Sequence, residues 1–267
     1  MCTRSSTTGT AGLAVRLEAL VVLDRANLDE EVTVSRDGTA YATPAYSNVG
    51  LLQGGTLSVR ELLMAALISS GDDAAYALAE HVGGGGKAGV NRFVEERNEE
   101  AKTLGLKDTH FENPVGFDEK GHYSSARDLA TMAGVAMQNP EFRDMVSTEY
   151  ATISTPYRKI PLVNTNELLF SYGPATGIKT GTTPAAGESL VSSASRGDES
   201  YVCEVLDSEE DRFRASVRFR RLRPQRPRGR GQTVRQHRRA LQAGEDSRSH
   251  SAERRGWSRG REPRCGA

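Results

Sequence analysis

The chain has 267 residues, of which 35 are basic, 35 are acidic and 37% are hydrophobic. No apolar run approaches the roughly 18 residues of a membrane helix, the first residues lack the apolar segment of a signal peptide, and three scattered cysteines are too few for a disulfide framework or metal site. Residues 218–267 contain 16 arginines and 4 acidic residues, which leaves a net charge of −12 on residues 1–217. The composition predicts an acidic body with a basic tail.

Apolar residues at helical spacing predict a helical first half. Ser58 and Glu61 have the spacing of a capping box, which predicts a helix start, and Ser70 with Gly71 interrupts that helix. The short run 32–34 predicts a strand, 36–55 a loop, and Asn139 with the following proline a helix end. The predicted helices lie within 12–28, 58–69, 73–82, 91–104 and 125–137.

After residue 148 the pattern changes to alternating strands. Residues 196–198 have the composition of a hairpin turn between the last two strands. Helices followed by antiparallel strands predict an α+β fold. The predicted strands are 150–154, 177–182, 189–195 and 200–206.

The tail, residues 217–267, has almost no apolar residues and is predicted to be disordered, because it cannot bury enough surface to offset its chain entropy. Its arginines attract polyanions electrostatically, but Trp257 is its only aromatic residue after Phe219. Stacking on bases is therefore not expected, and we predict no nucleic-acid partner.

Lys179, Thr180 and Gly181 form the motif with the clearest chemistry. A strand at a cleft edge with a lysine charge and the hydroxyls of Thr180 and Thr182 suits an anionic substrate end, and Gly181 lets the substrate approach closely. The tripeptide alone is equally compatible with a surface lysine at a strand end. The longer run 176–187 is more specific.

Ser70, Gly71 and Asp72 form a second short motif between two predicted helices. Ser70 is a candidate for proton transfer and Asp72 for contact with a substrate amide. The alternative interpretation is a plain helix break, with Asp72 or Asp73 as the helix N-cap.

In combination these segments resemble the D-alanyl-D-alanine carboxypeptidases among the low-molecular-weight penicillin-binding proteins, peptidase family S11. The resemblance covers roughly residues 3–216, and Asp72 replaces an asparagine that is common in the family. The segments that carry it are 70–83, 113–118, 121–130, 164–169 and 176–187.

The resemblance implies a penicillin-binding protein/β-lactamase-like α+β fold, a helical cluster packed on an antiparallel sheet, with terminal strands or a terminal helix missing. It implies a serine-type carboxypeptidase that cleaves peptidoglycan stem peptides through an acyl-enzyme. Ser6 is the nucleophile that it suggests, but Gly9 occupies the position of the lysine base. Alignment from the following helix places Gly12 at the nucleophile and Val15 at the base instead. The missing lysine predicts weak activity or none.

The resemblance also implies peptidoglycan pentapeptides and β-lactams as partners, an extracytoplasmic location, and no metal or cofactor. We expect an N-terminally truncated carboxypeptidase-like domain over 1–216, and we interpret the tail as a frameshift. A class A β-lactamase and a non-catalytic peptidoglycan-binding remnant remain the alternatives. The site predicted by resemblance comprises Ser6, Ser70 and Lys179 as catalytic residues and Asp72, Thr180, Gly181 and Thr182 as substrate-binding residues.

Overall fold

The computed structural model describes residues 15–208 and 211–219 of the chain. The described residues form an α+β fold in which a helical cluster precedes most of the strands. The helices are α1 (Val15–Arg25), α2 (Arg36–Thr39), α3 (Val59–Ile68), α4 (Asp72–Val82), α5 (Gly86–Thr103), α6 (Ala126–Ala136), α7 (Pro140–Ser147), α8 (Leu168–Ser171) and α9 (Arg212–Phe219). The strands are β1 (Glu31–Thr33), β2 (Thr56–Ser58), β3 (Tyr150–Ser154), β4 (Lys159–Val163), β5 (Ala175–Thr183), β6 (Gly187–Arg196) and β7 (Glu199–Val205).

The strands make three antiparallel sheets within the described residues. The largest has the order β5-β6-β7, and the pairs β1-β2 and β3-β4 form two small sheets. In the largest sheet β6 lies in the centre and β5 is paired on one side only, with Lys179 opposite Val191. Strand β5, which carries the lysine motif, is therefore an edge strand of this sheet.

Helices α3 and α4 form the centre of the helical cluster. The predicted capping box is present, since the Ser58 hydroxyl accepts a hydrogen bond from the Glu61 amide and the Glu61 carboxylate accepts one from the Ser58 amide. Seven of the ten residues of α3 are buried, and α4 packs against α3, α5 and α1. This buried pair of helices fixes the position of the short segment that connects them.

Several short elements differ from the sequence predictions. Helix α2 lies within the region predicted as loop, and β2, β4 and α8 were not predicted. Helix α5 begins at Gly86 rather than at 91. Helix α6 ends at Ala136, shortly before the predicted helix end at Asn139. The unpredicted helix α7 follows, and the Asn139 side chain caps it by accepting a hydrogen bond from the Phe142 amide, with Pro140 in the first turn.

A final helix follows the sheet, although a terminal helix was expected to be missing. Helix α9 packs against β6 and β7, and the hydroxyls of Ser192 and Ser216 are 2.5 Å apart across that contact. It extends to Phe219, beyond the domain end expected at residue 216. The tail predicted as disordered lies outside the described residues from residue 220 onward.

Among the described residues, no helix combines the length and apolar character that are needed to cross a bilayer.

Candidate active site

The connection between α3 and α4 has an unusual backbone. Ser70 has a φ of 58°, in the left-handed region that residues other than glycine rarely adopt. Gly71 is the N-cap of α4, so neither Asp72 nor Asp73 caps the helix with its side chain. A side chain at Gly71 would place its Cβ 3.1 Å from a carboxylate oxygen of Asp73. Backbone strain of this kind is typical of functional sites.

Asp73 holds the opposite loop against this connection. Its carboxylate is fully buried and accepts hydrogen bonds from the backbone amides of Val49, at 3.2 Å, and Leu51, at 2.8 Å. The Asp72 amide donates to the Ser47 carbonyl at 2.8 Å. The loop before Leu51 is therefore fixed beside the first turn of α4.

Lys179 lies in the middle of β5 and is fully buried, so it is not a surface lysine at a strand end. Its Nζ donates a hydrogen bond to the carbonyl of Thr180 at 2.9 Å. A buried ammonium retains a strong field because little water screens it. The strand therefore presents a fixed positive charge.

The structure brings Asp72 and Lys179 together. Burial raises the pKa of Asp72 to about 7, the positive charge of Lys179 lowers that pKa, and Asp73 raises it. An effect of Lys179 on the Asp72 pKa requires the two charges to be close in space. Asp72 of the helical cluster and Lys179 of the sheet are thus within electrostatic reach of each other.

The remaining residues of the lysine motif have distinct neighbours. The Thr180 hydroxyl donates to the Thr165 hydroxyl at 2.7 Å. Nη1 of Arg212 donates to the Gly181 carbonyl at 3.2 Å and to the Thr182 hydroxyl at 2.6 Å. Thr182 is exposed on this edge of the sheet. A second cation, from α9, therefore lies beside the strand.

Arg212 and Asp118 were not predicted as site residues. The Asp118 carboxylate accepts a hydrogen bond from the Thr183 hydroxyl at 2.7 Å and another from the Ala185 amide at 3.0 Å. It therefore holds the end of β5, directly after the lysine motif. The family-like segment 113–118 was a signal for Asp118, whereas no local pattern indicated that Arg212 would reach β5.

Ser6, with Gly9 and Gly12 of the two possible alignments, lies outside the described residues. The helix that follows them is described, and α1 begins at Val15. Glu18 on α1 is fully buried, and its pKa is raised well above the usual value by burial, with Arg97 lowering it and Asp72 raising it. Glu18 on α1 is therefore within electrostatic reach of Asp72.

Comparison with known proteins agrees with this geometry. The family model described as D-alanyl-D-alanine carboxypeptidase matches residues 11–210. The chain belongs to this family. It is 37% identical over 217 residues to a D-alanyl-D-alanine carboxypeptidase of a Streptomyces species, covering 77% of this chain and 74% of that protein. The predicted family is confirmed.

Other members of the carboxypeptidase family are longer than this chain. DacF of Bacillus subtilis is 37% identical over 63% of this chain and 42% of its own length. DacD of Escherichia coli is 36% identical over 73% of this chain and 50% of its own length. The chain thus spans about half the length of these two relatives.

Solved structures of relatives confirm the predicted fold class. A single-residue variant of a Streptomyces DD-transpeptidase superposes with a TM-score of 0.78 at 35% identity, covering 81% of this chain and 88% of that structure. A penicillin-binding protein homolog from Mycobacterium tuberculosis gives a TM-score of 0.73 at 31% identity, covering 84% of this chain and 86% of that structure. The fold is that of the penicillin-binding proteins.

Proposed function

We propose that this chain is a serine-type D-Ala-D-Ala carboxypeptidase that acts on peptidoglycan stem peptides outside the cytoplasm. The observation that carries the proposal is the cationic edge strand of a carboxypeptidase-family member, where Lys179 is fully buried and Arg212 is hydrogen bonded to Thr182, within electrostatic reach of Asp72. A substrate that ends in a free carboxylate suits a cleft edged by a buried lysine. β-Lactams, which are acylating agents recognised by the same family motifs, are the proposed inhibitors.

The cationic edge of the cleft is the proposed site for the terminal carboxylate. Lys179 contributes a buried charge, while Thr180 and Thr182 contribute hydroxyls on the same strand. Arg212 is already hydrogen bonded to Thr182 at 2.6 Å, and its guanidinium offers further donors to a carboxylate. Gly181 leaves room above the strand for the substrate backbone.

The proposed reaction proceeds in two steps. The Ser6 hydroxyl attacks the carbonyl between the two D-alanines, and the terminal D-alanine leaves as its amine accepts a proton. Ser70 relays that proton, and Asp72 binds the amide of the stem. Water then attacks the acyl-enzyme ester and regenerates the serine hydroxyl.

The weak point of this reaction is the removal of the serine proton. Gly9, three residues after Ser6, has no side chain that can accept it. General base catalysis contributes roughly 10²–10⁴-fold in rate, and the groups of such a site act together. We therefore expect slow acylation by this chain.

Restoring the base tests the function and separates the two alignments. We expect Gly9→Lys to raise the release of D-alanine from an acylated D-Ala-D-Ala peptide by about 10²-fold or more. The matched variant Gly12→Ser with Val15→Lys restores the motif of the other alignment. A gain from only one of the two identifies the position of the nucleophile.

Lys179→Met in the activated variant is the control for the cleft. We expect it to abolish the gain, because the carboxylate loses its buried cation. Release of D-alanine that persists in the activated variant without Lys179 contradicts the proposed function. So does the absence of D-alanine release from both folded variants with a restored motif.

A further inference from the structure

The loop of residues 108–124 keeps its shape through contacts with α5 and with itself. The Asn98 side chain on α5 donates a hydrogen bond to the Phe111 carbonyl at 2.8 Å and accepts one from the Phe111 amide at 2.9 Å. His110 and Tyr123 pair as an antiparallel bridge between the two arms of the loop. The base of the loop is therefore fixed to the helical cluster.

The tip of this loop is a closed turn that ends directly before Asp118. The Asn113 side-chain oxygen accepts hydrogen bonds from the amides of Gly116, at 2.8 Å, and Phe117, at 3.0 Å. The side-chain nitrogen of Asn113 donates to the Phe117 carbonyl at 3.1 Å. Gly116 has a φ of 78°, which glycine adopts without strain. The loop thus presents the Asp118 carboxylate from a preorganised backbone.

The Asp118 carboxylate receives donors from the connection between β5 and β6. One oxygen accepts the Thr183 hydroxyl at 2.7 Å and the other accepts the Ala185 amide at 3.0 Å. The same Thr183 hydroxyl accepts a hydrogen bond from the Ala186 amide at 3.1 Å. Thr183 is the last residue of β5 and directly follows Thr182. One carboxylate of the helical part therefore organises the end of the strand that carries the lysine motif.

We propose that Asp118 is a positioning residue for acylation, which acts through the Thr183 hydroxyl and the Ala185 amide to fix the end of β5 beside the cleft. The inference rests on the proposed function, in which Thr182 meets the substrate. A displacement of about 1 Å can cost about 100-fold in rate when reacting groups must be aligned. Loss of the Asp118 contact should therefore slow acylation.

The middle of β5 is held independently of Asp118. Lys179 pairs with Val191 of β6, and the Thr180 hydroxyl donates to the Thr165 hydroxyl at 2.7 Å. The buried charge of Lys179 thus keeps its place when the end of the strand is released. We expect the rate of acylation to depend on Asp118 more strongly than the affinity for the acylating agent does.

Penicillin acylation of the variant with the restored serine–lysine motif separates rate from affinity. Intact-mass analysis over a range of drug concentrations gives the limiting rate constant and the half-saturating concentration. We expect Asp118→Ala and Thr183→Val, each added to that variant, to lower the limiting rate constant by about tenfold and to change the half-saturating concentration by less than about threefold. Thr183→Ser keeps the hydroxyl and should retain the rate. Glu119→Gln is the matched control, because Glu119 is exposed on the same loop and accepts a hydrogen bond from Asn113.

Hydrogen exchange in the parent chain tests the contact without any activity. Asp118→Ala should speed exchange of the Ala185 and Ala186 amides by about tenfold or more and leave the Val191 amide unchanged. Unchanged exchange, an unchanged limiting rate constant, or an equal loss in Thr183→Ser and Thr183→Val overturns the positioning role and leaves the proposed function standing. A restored-motif variant that no penicillin acylates overturns both.

Discussion

Asp72 is a carboxyl group in a place where its ionised form is costly. Burial raises its pKa from 3.8 to about 7, despite the nearby Lys179. The folded protein therefore binds a proton that the unfolded chain releases between these two pH values. The fold favours the neutral carboxyl group of Asp72. The contribution of Asp72 to the free energy of unfolding is therefore fully present below pH 3.8 and is lost as the pH rises through about 7.

Asp72→Asn is expected to remove this pH dependence. The free energy of unfolding of the variant should exceed that of the parent at pH 8, and the gain should grow by on the order of 1–3 kcal/mol between pH 5 and pH 8. Urea denaturation at both pH values measures it. Asp73→Asn is the control, and it should destabilise the protein because the carboxylate of Asp73 accepts hydrogen bonds from three backbone amides. Lower stability of Asp72→Asn at pH 8 would contradict the described electrostatics.

The two motifs could be identified in the sequence, but the environments of their residues could not. The run 176–187 indicated a strand with Lys179 on it, and β5 is that strand. The full burial of Lys179 and the contact of Arg212 with Thr182 depend on the packing of β5 and α9. Such contacts between distant segments leave no local pattern.

At the scale of elements, α5 supports the loop that holds β5. Arg97 on α5 is fully buried, and its Nη1 donates to the carbonyls of Asn113 and Pro114, both at 3.0 Å. Its guanidinium lies 4.2 Å from the centre of the Phe111 ring. Burial lowers the pKa of Arg97, Glu18 on α1 partly offsets this by raising it, and the resulting pKa is about 10. One buried cation thus links α1, α5 and the family-like loop.

Arg97→Met is expected to lower the free energy of unfolding by about 3–5 kcal/mol, because it leaves Glu18 and two carbonyls without their buried cation. Adding Glu18→Met to this variant should recover part of the lost free energy of unfolding, because it removes the buried acid. Denaturant unfolding of both variants measures the effect.

Arg92→Met on the same helix is the control. Arg92 is exposed and makes one backbone hydrogen bond, to Gly83, so a loss below about 1 kcal/mol is expected. An equally large loss in the control would contradict a special role of Arg97.

Long elements with clear boundary signals were predictable and short ones were not. Helix α3 carries a capping box and a buried face in its sequence. Strand β4 contains a proline that pairs with Thr152, and α2 and α8 have four residues each. Elements this short depend on tertiary contacts rather than on their own periodicity.

At the scale of the whole molecule, the candidate site lies where the helical cluster meets the edge of the three-stranded sheet. Asp72 comes from the cluster and Lys179 from the sheet, and Asp118 and Thr165 connect the two. The Thr165 amide donates to the carbonyl of Ile68, at the end of α3. The family resemblance predicted a helical cluster packed on an antiparallel sheet, whereas periodicity alone predicted only an α+β chain.

Intact-mass analysis after incubation with a penicillin shows whether the cleft of Asp72 and Lys179 recognises the drug. We expect a slowly formed penicilloyl adduct that appears faster in Gly9→Lys and is absent in Ser6→Ala, because the missing base limits acylation. The absence of an adduct on folded parent protein, on Gly9→Lys and on Gly12→Ser with Val15→Lys would mean that the two motifs do not form a penicillin-recognising site.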